Sequence, residues 1–210
     1  MNYEYFACGL TAYFLGTLSW AYILMKLFAR SDIRNEGTGN VGAMNSYEVT
    51  GKKYIGIVVT LLDAGKGFAA VWIASLFSID DTMFVFIGTI MVVLGHNYNV
   101  FLKFRGGRGL ASAAGAFVFL NPLPIFLWLI MWGISMKIPR LDIVKSSVAA
   151  TVISPIIIYL LPDSALNFSR LYEALSVDEL RILLAIVFFV LLLGHIGPIW
   201  EMMRKERVIR

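Results

Sequence analysis

Cysteine, histidine and charge are all scarce in these 210 residues, and each shortage removes a class of function. The single cysteine, Cys8, excludes an internal disulfide and any multi-cysteine metal site. It sits in an apolar run, which reads as packing rather than as a reactive thiol. Two histidines, His96 and His195, with one distant cysteine make a poor zinc ligand set, so neither a metal nor a cofactor is expected. Charged residues are 15% of the chain, against about 25% in ordinary soluble proteins. The first apolar stretch lacks a basic leader, since Asn2, Tyr3 and Glu4 precede it, and a cleaved signal peptide is not expected. Internal repeats and low-complexity stretches are absent.

Apolar residues are abundant instead: 59% of the chain is hydrophobic and the mean hydropathy is +0.75. This balance argues against a soluble enzyme, a nucleic-acid-binding domain and a disordered segment. The net charge of +4 fits the surplus of Lys and Arg carried by cytoplasmic loops of membrane proteins better than a nucleic-acid partner. The length admits about seven spans of ~20 residues with short loops. Residues 1–210 are therefore expected to form one polytopic membrane domain, all-α, with membrane lipids as its surroundings.

Apolar runs place spans at about 5–28, 54–77, 82–94 (extending toward 104), 143–161 and 180–203. Between them, 110–120 and 122–136 are short, and Asn121-Pro122-Leu123-Pro124 separates them, which predicts two half-length helices forming a hairpin. With seven crossings, Arg30, Arg34, Lys52, Lys53, Lys103, Arg105, Arg108, Lys137, Arg140, Lys145 and the tail with Arg204, Lys205, Arg207 and Arg210 fall on one face. The other face receives Asp80, Asp81, the Asn121 turn and the 162–178 loop, with Arg170 as its sole basic residue. That asymmetry predicts an outside N-terminus and a cytoplasmic C-terminus.

Two glycine-rich segments share the basic face: Asp32 to Asn45, with Gly37, Gly39 and Gly42, and Arg105 to Gly109, with Gly106 and Gly107. Glycine permits positive φ and close approach of backbone N–H groups to an anion. Gly37, Gly39 and Gly42 match a dinucleotide fingerprint, but no strand precedes them, so that reading is rejected. Flanking Arg34, Arg105 and Arg108 turn the expectation toward phosphate binding. Asp63 and Lys66, three apart on one helix face, are read as an inward ion pair or as support for the glycine loops. His96 and His195 each lie near the inside end of a span.

The segments 32–45, 61–67 and 95–109 resemble, in order and spacing, the bacterial acyl-phosphate:glycerol-3-phosphate acyltransferases of the PlsY type. The likeness covers most of the chain, strongest over 16–116. It implies a seven-helix enzyme of the bacterial inner membrane whose cytoplasmic site transfers an acyl group from acyl phosphate to the 1-hydroxyl of glycerol 3-phosphate. By the same resemblance Gly37, Thr38, Gly39 and Asn40 cradle a phosphate, with Gly42 and Asn45 in the same motif. His96, Asn97, Lys103, Arg105, Gly106, Gly107, Arg108 and Gly109 belong to a second motif, Arg108 standing where the family has a substrate-contacting lysine. Ser146 matches a serine after the fifth helix, and His195 stands in a third motif. Either His195 or a substrate phosphate oxygen takes the acceptor's proton.

The sequence departs from the family's pattern at four further places. Thr38 replaces a serine, Met44 a threonine, Glu48 an arginine expected at glycerol phosphate, and Pro198 an asparagine. Two rival functions follow: an acyltransferase for another acceptor, one that Glu48 would recognise, or a catalytically silent protein that binds lipid or phosphate.

Overall fold

The structure, a computed structural model, describes residues 2–78, 80–197 and 199–200. Among these residues the regular elements are all helical. Four helical stretches are long and apolar enough to cross a membrane: Tyr3–Ala29, Lys53–Ser75, Met83–Leu102 and Ile143–Leu160. The chain divides into two compact units at Phe119 and Leu120.

The first unit opens with α1 (Asn2–Thr17) and α2 (Trp20–Leu24). The expected continuous first span is therefore interrupted at Leu18 and Ser19, and a π-helical turn follows over Met25–Ala29. A break inside an apolar span exposes carbonyls that lipid cannot satisfy. Here the Lys66 ammonium donates to the Leu18 carbonyl at 2.6 Å, and the Asn99 amide donates to that of Thr17 at 2.7 Å. Arg30, in the left-handed region at φ 52°, ends the π turn.

Next come α3 (Ala43–Thr50), α4 (Lys53–Ser75), α5 (Met83–Asn97) and α6 (Leu110–Leu120). Gly51, at φ 68°, stops α3 by donating its N–H to the Tyr47 carbonyl at 2.8 Å, as a left-handed helix terminator does. Small residues let the helices approach closely. A Cβ at Gly16 of α1 would meet the Val92 carbonyl, and one at Gly95 of α5 would meet that of Tyr13. Gly67 and Gly115 do the same for α4 and α6, against Ser112 and Ala64. Ala21, Met25, Ile33, Val41, Ile55, Val59 and Leu102 form a buried cluster. Ile33 and Val41 of the first glycine segment and Leu102, just before the second, are thereby anchored to α2 and α4.

The second unit holds α7 (Leu123–Ser135), α8 (Ile143–Leu160), α9 (Asp163–Phe168) and α10 (Val177–Leu193). Asp142 caps α8 by accepting from the Lys145 N–H at 2.8 Å, and Ser176 with Glu179 forms a capping box on α10. The Trp128 indole of α7 donates to Thr151 of α8 at 3.0 Å. Arg181 reaches Asp163 at 2.8 Å and the Leu161 carbonyl at 2.7 Å, which ties α10 to the ends of α8 and α9. Leu180, Leu183, Leu184, Val187 and Leu191 form the buried face of α10.

The expected helix 110–120 is found with the same bounds, and 122–136 and 143–161 to within a residue. The loop expected over 162–178 contains α9, and the first glycine segment contains the start of α3. Both helices are short and mixed in polarity, so no apolar run marks them. The last span, expected over 180–203, is instead α10 from Val177 to Leu193, which stops at its C-cap Gly194; the basic tail lies outside the described residues.

Candidate functional site

The first glycine segment is wound around one side chain. Asp32 accepts from the Arg34 N–H and caps the 3-10 turn Ile33–Asn35, after which the chain reverses at Gly37 (φ 54°) and Gly39 (φ 69°). Asn45, 1% exposed, fills the interior of this reversal. Its Oδ1 accepts from the Thr38 N–H at 2.9 Å, while its amide reaches the carbonyls of Glu36 and Asn40, each at 3.0 Å, and that of Ile33 at 3.3 Å. A side chain at Gly37 would collide with Asn45 Oδ1, so glycine is required sterically as well as for its φ. Gly39 donates to the Glu36 carbonyl at 2.8 Å and Gly42 to that of Asn40 at 3.1 Å. The Asn40 N–H faces the Thr38 hydroxyl at 3.4 Å. The N–H groups of Thr38, Gly39, Asn40 and Gly42, expected to face an anion, are therefore directed into the loop itself.

The second segment follows the same rule. Asn99, buried, accepts from the Phe101 N–H through its side chain at 3.0 Å and from the Phe104 N–H through its carbonyl at 2.8 Å, capping the turn Val100–Leu102. Lys103 and Phe104 then take left-handed conformations at φ 56° and 60°, which cost bulky residues energy and persist only where surrounding contacts enforce them. Gly106 and Gly107 donate to the carbonyls of Asn97 and His96, each at 3.1 Å, so they close the C-terminal end of α5. Helix geometry leaves the first-turn N–H groups of α3 (Ala43, Met44) and of α6 (Leu110, Ala111) as the backbone donors nearest these loops.

The fold brings the two segments together. A Cβ at Gly107 would meet His96 Nε2 and, at 2.6 Å, the Val41 carbonyl of the first loop. Arg34 spans the same gap. Its Nε and one Nη form a fork with Asp32 at 3.0 and 2.7 Å, the other Nη reaches the Leu102 carbonyl at 3.4 Å, and the guanidinium lies 5.3 Å from the Tyr22 ring centre. Beside Arg34 the Asp32 carboxyl is held down to about 2, and the same pairing raises Arg34 above its ordinary value. Arg34, expected at a phosphate, is thus already matched to a carboxylate. Lys103 and Arg105 are exposed and Arg108 is half-buried.

Beneath the junction lies a buried charged group. Lys66 Nζ lies 2.8 Å from Asp63 Oδ1 and 2.9 Å from His96 Nδ1, with both members of the ion pair 3% exposed. Asn97 is buried at the end of α5. Of the remaining sequence candidates, Thr38 is exposed on the first loop, and Ser146 and His195 are buried in the second unit. His195 donates from Nδ1 to the Leu191 carbonyl at 2.8 Å, which makes Nε2 the acceptor nitrogen of its neutral ring. Glu48 is exposed on α3, while Pro198 lies outside the described residues.

Sequence reasoning missed Asp32, Asn99 and the Leu18 carbonyl. Asp32 could have been found as a turn-capping residue two positions before Arg34. Asn99 looks like any loop amide, and Gly16-Thr17-Leu18-Ser19 does not disclose by itself which carbonyls are bared.

Comparison with known proteins agrees with this architecture. The chain is similar to the glycerol-3-phosphate acyltransferase of Pseudomonas syringae pv. syringae (strain B728a), 36% identical over 160 residues, 76% of this chain and 82% of the relative. Glycerol-3-phosphate acyltransferase 2 of Moorella thermoacetica is 36% identical over 148 residues, covering 70% and 75%. A crystal structure of PlsY, an integral membrane glycerol 3-phosphate acyltransferase, in its glycerol 3-phosphate form superposes with a TM-score of 0.74 at 27% identity, covering 96% of this chain and 92% of that one. Its lysophosphatidic acid form gives 0.73 at 26% identity. The glycerol-3-phosphate acyltransferase family model matches residues 6–205, and this membrane protein belongs to that family.

Proposed function

We propose that the chain transfers an acyl group from acyl phosphate to the 1-hydroxyl of glycerol 3-phosphate, yielding lysophosphatidic acid and inorganic phosphate. The observation that carries this reading is the convergence of the two glycine loops at Gly107 and Val41, with the first turn of α6 and the cations Lys103, Arg105 and Arg108 beside it. The glycerol 3-phosphate form of PlsY supports the acceptor.

A mixed anhydride carries a good leaving group, so positioning and charge neutralisation supply much of the catalysis. The acceptor oxygen attacks the acyl carbon, the new ester C–O bond forms, and the bond from the acyl carbon to the phosphate oxygen breaks. The hydroxyl proton passes to His195 or to a phosphate oxygen, and phosphate leaves. In this scheme Gly37, Thr38, Gly39, Asn40, Gly42 and Asn45 shape one wall. Asn97 and Gly106 to Gly109 shape the other, with His96 behind it. Ser146 and His195 enter on the resemblance alone.

The same reading takes residues 1–210 as one functional membrane domain crossing seven times, with α6 and α7 crossing only in part. At ~1.5 Å per residue, their 11 and 13 residues reach roughly 17 and 20 Å, short of a ~30 Å hydrocarbon core. The basic loops support a cytoplasmic site in a bacterial inner membrane, with the N-terminus outside. Cysteines placed at Thr38 and Lys103 should react from the cytoplasm and one at Ser164 from outside; external labelling at Thr38 would overturn the topology.

The deciding assay supplies purified protein with palmitoyl phosphate and a panel of acceptors and reads product mass. Lysophosphatidic acid from glycerol 3-phosphate is expected; transfer only to an uncharged or amine acceptor, or no transfer, defeats the reading. Glu48→Arg should lower KM for glycerol 3-phosphate several-fold, because a bidentate cation favours a dianion. A rise would show that Glu48 serves the acceptor as it stands.

A further inference from the structure

The buried ion pair beneath the glycine loops has one more member than charge balance needs. An ammonium has three N–H donors and no acceptor. Lys66 makes two hydrogen bonds, to the Leu18 carbonyl at 2.6 Å and to His96 Nδ1 at 2.9 Å, and its Nζ also stands 2.8 Å from Asp63 Oδ1 as an ion-pair partner. The three partners lie on the break between α1 and α2, on α5 and on α4 itself, so one side chain joins three helical segments. A neutral amine there would leave the Asp63 carboxylate buried without a counter-charge, which is strongly unfavourable.

With the ammonium in place, His96 Nδ1 has to be the acceptor. A proton on Nδ1 would point at a Lys66 N–H, and the alternative acceptor, Asp63 Oδ1, stands 3.6 Å away, too far for a hydrogen bond. The proton of the neutral ring therefore sits on Nε2. That nitrogen faces Gly107, at the point where the Val41 carbonyl of the first loop also arrives. The His96 carbonyl receives the Gly107 N–H at 3.1 Å, so ring and backbone of one residue frame the same turn.

We propose that Lys66 is a positioning residue that holds His96 as the Nε2-protonated neutral imidazole, presenting a fixed hydrogen-bond donor where the two glycine loops meet. His96 is then a donor at the junction and takes no proton in turnover, which leaves that task to His195 or to the substrate. The kinetic consequence rests on the acyl-phosphate reading of the site, whereas the tautomer does not.

The test is nitrogen-15 NMR of the full-length protein labelled at histidine, in detergent micelles at neutral pH. With two histidines in the chain, His195→Gln assigns the spectrum. In the otherwise unmodified protein His96 should show a protonated Nε2, coupled to both ring C–H protons, and an unprotonated Nδ1. Protonation on Nδ1, or on both nitrogens, overturns the proposal without any Lys66 variant. Lys66→Met should bring the two nitrogen shifts toward each other as tautomers exchange, and should raise KM for palmitoyl phosphate about tenfold. Lys66→Arg, which keeps a charged donor, should restore the Nε2-protonated signature and most of the KM. An unchanged His96 spectrum in Lys66→Met, or a shifted tautomer with unchanged KM, refutes the positioning role. Should the protein transfer no acyl group at all, the function fails while the spectrum still decides the tautomer.

Discussion

In the first unit Asn45, Lys66 and Asn99 are buried and each makes at least two hydrogen bonds, whereas on α8 of the second unit Ser146 and Ser154 are equally buried and no hydrogen bond reaches either hydroxyl. The other two hydroxyls of that face, Ser147 and Thr151, bond back to their own helix, to the carbonyls of Ile143 and Ser147, each at 2.7 Å. The histidines differ in the same sense. His96 directs an N–H toward the glycine loops, and His195 uses its Nδ1 proton on the Leu191 carbonyl, one turn back. The contrast separates two uses of buried polarity. Asn45, Lys66 and Asn99 hold irregular backbone in shape, so each one lost leaves a desolvated partner. Hydroxyls on α8 lie on a regular helix whose shape the backbone bonds already secure.

The contrast is sharpest at Gly107. Gly107→Ala places a methyl group against His96 Nε2 and the Val41 carbonyl, neither of which can retreat without moving a loop. The expected loss is about 100-fold in kcat/KM, equivalent to ~3 kcal/mol. Wild-type kinetics in this variant would mean that the junction is an ordinary turn.

Asn45→Ala comes next. It strips the Thr38 N–H and the carbonyls of Glu36 and Asn40 of their shared partner, for a cost of about 2–3 kcal/mol in thermal or denaturant unfolding and a weaker acyl-phosphate KM. Unaltered unfolding would place the first loop's order elsewhere.

Asp32 gives a smaller and pH-dependent effect. Its folded pKa is depressed to about 2, so the Arg34 fork is at full strength above the ordinary carboxylate value and is lost as pH falls through about 2. Asp32→Asn should cost about 1–2 kcal/mol at neutral pH, and its stability deficit should shrink as the medium is acidified through that window. A deficit that stays constant on acidification would show that the carboxylate charge is not what holds Arg34.

Ser154→Ala is expected to change least, within about 0.5 kcal/mol, since the hydroxyl it removes has no hydrogen bond to lose. A large destabilisation there would erase the distinction between these hydroxyls and the side chains that hold the loops.

Much of this molecule was legible in its amino-acid order. Runs of apolar residues placed α4, α6, α7 and α8 to within two residues at each end, because a helix in lipid must be apolar along nearly its whole length. The ordered motifs 32–45, 61–67 and 95–109 identified the family, and the Asp63–Lys66 spacing foretold an ion pair. What order alone could not disclose was direction. Glycine at 37, 39, 106 and 107 announces tight backbone, yet whether the N–H groups face a ligand or the loop depends on which carbonyls and which amide arrive from elsewhere. Arg34 announces a cation, but only the fold sets it in the fork of Asp32, against Tyr22. The break at Leu18 lies between Thr17 and Ser19, in a span otherwise rich in apolar residues; a lysine of α4 and an asparagine after α5 receive its two bared carbonyls. Hydrophobic pattern reports how much of a helix is buried. Hydrogen-bond partners, which are few and distant in sequence, are decided when the helices pack.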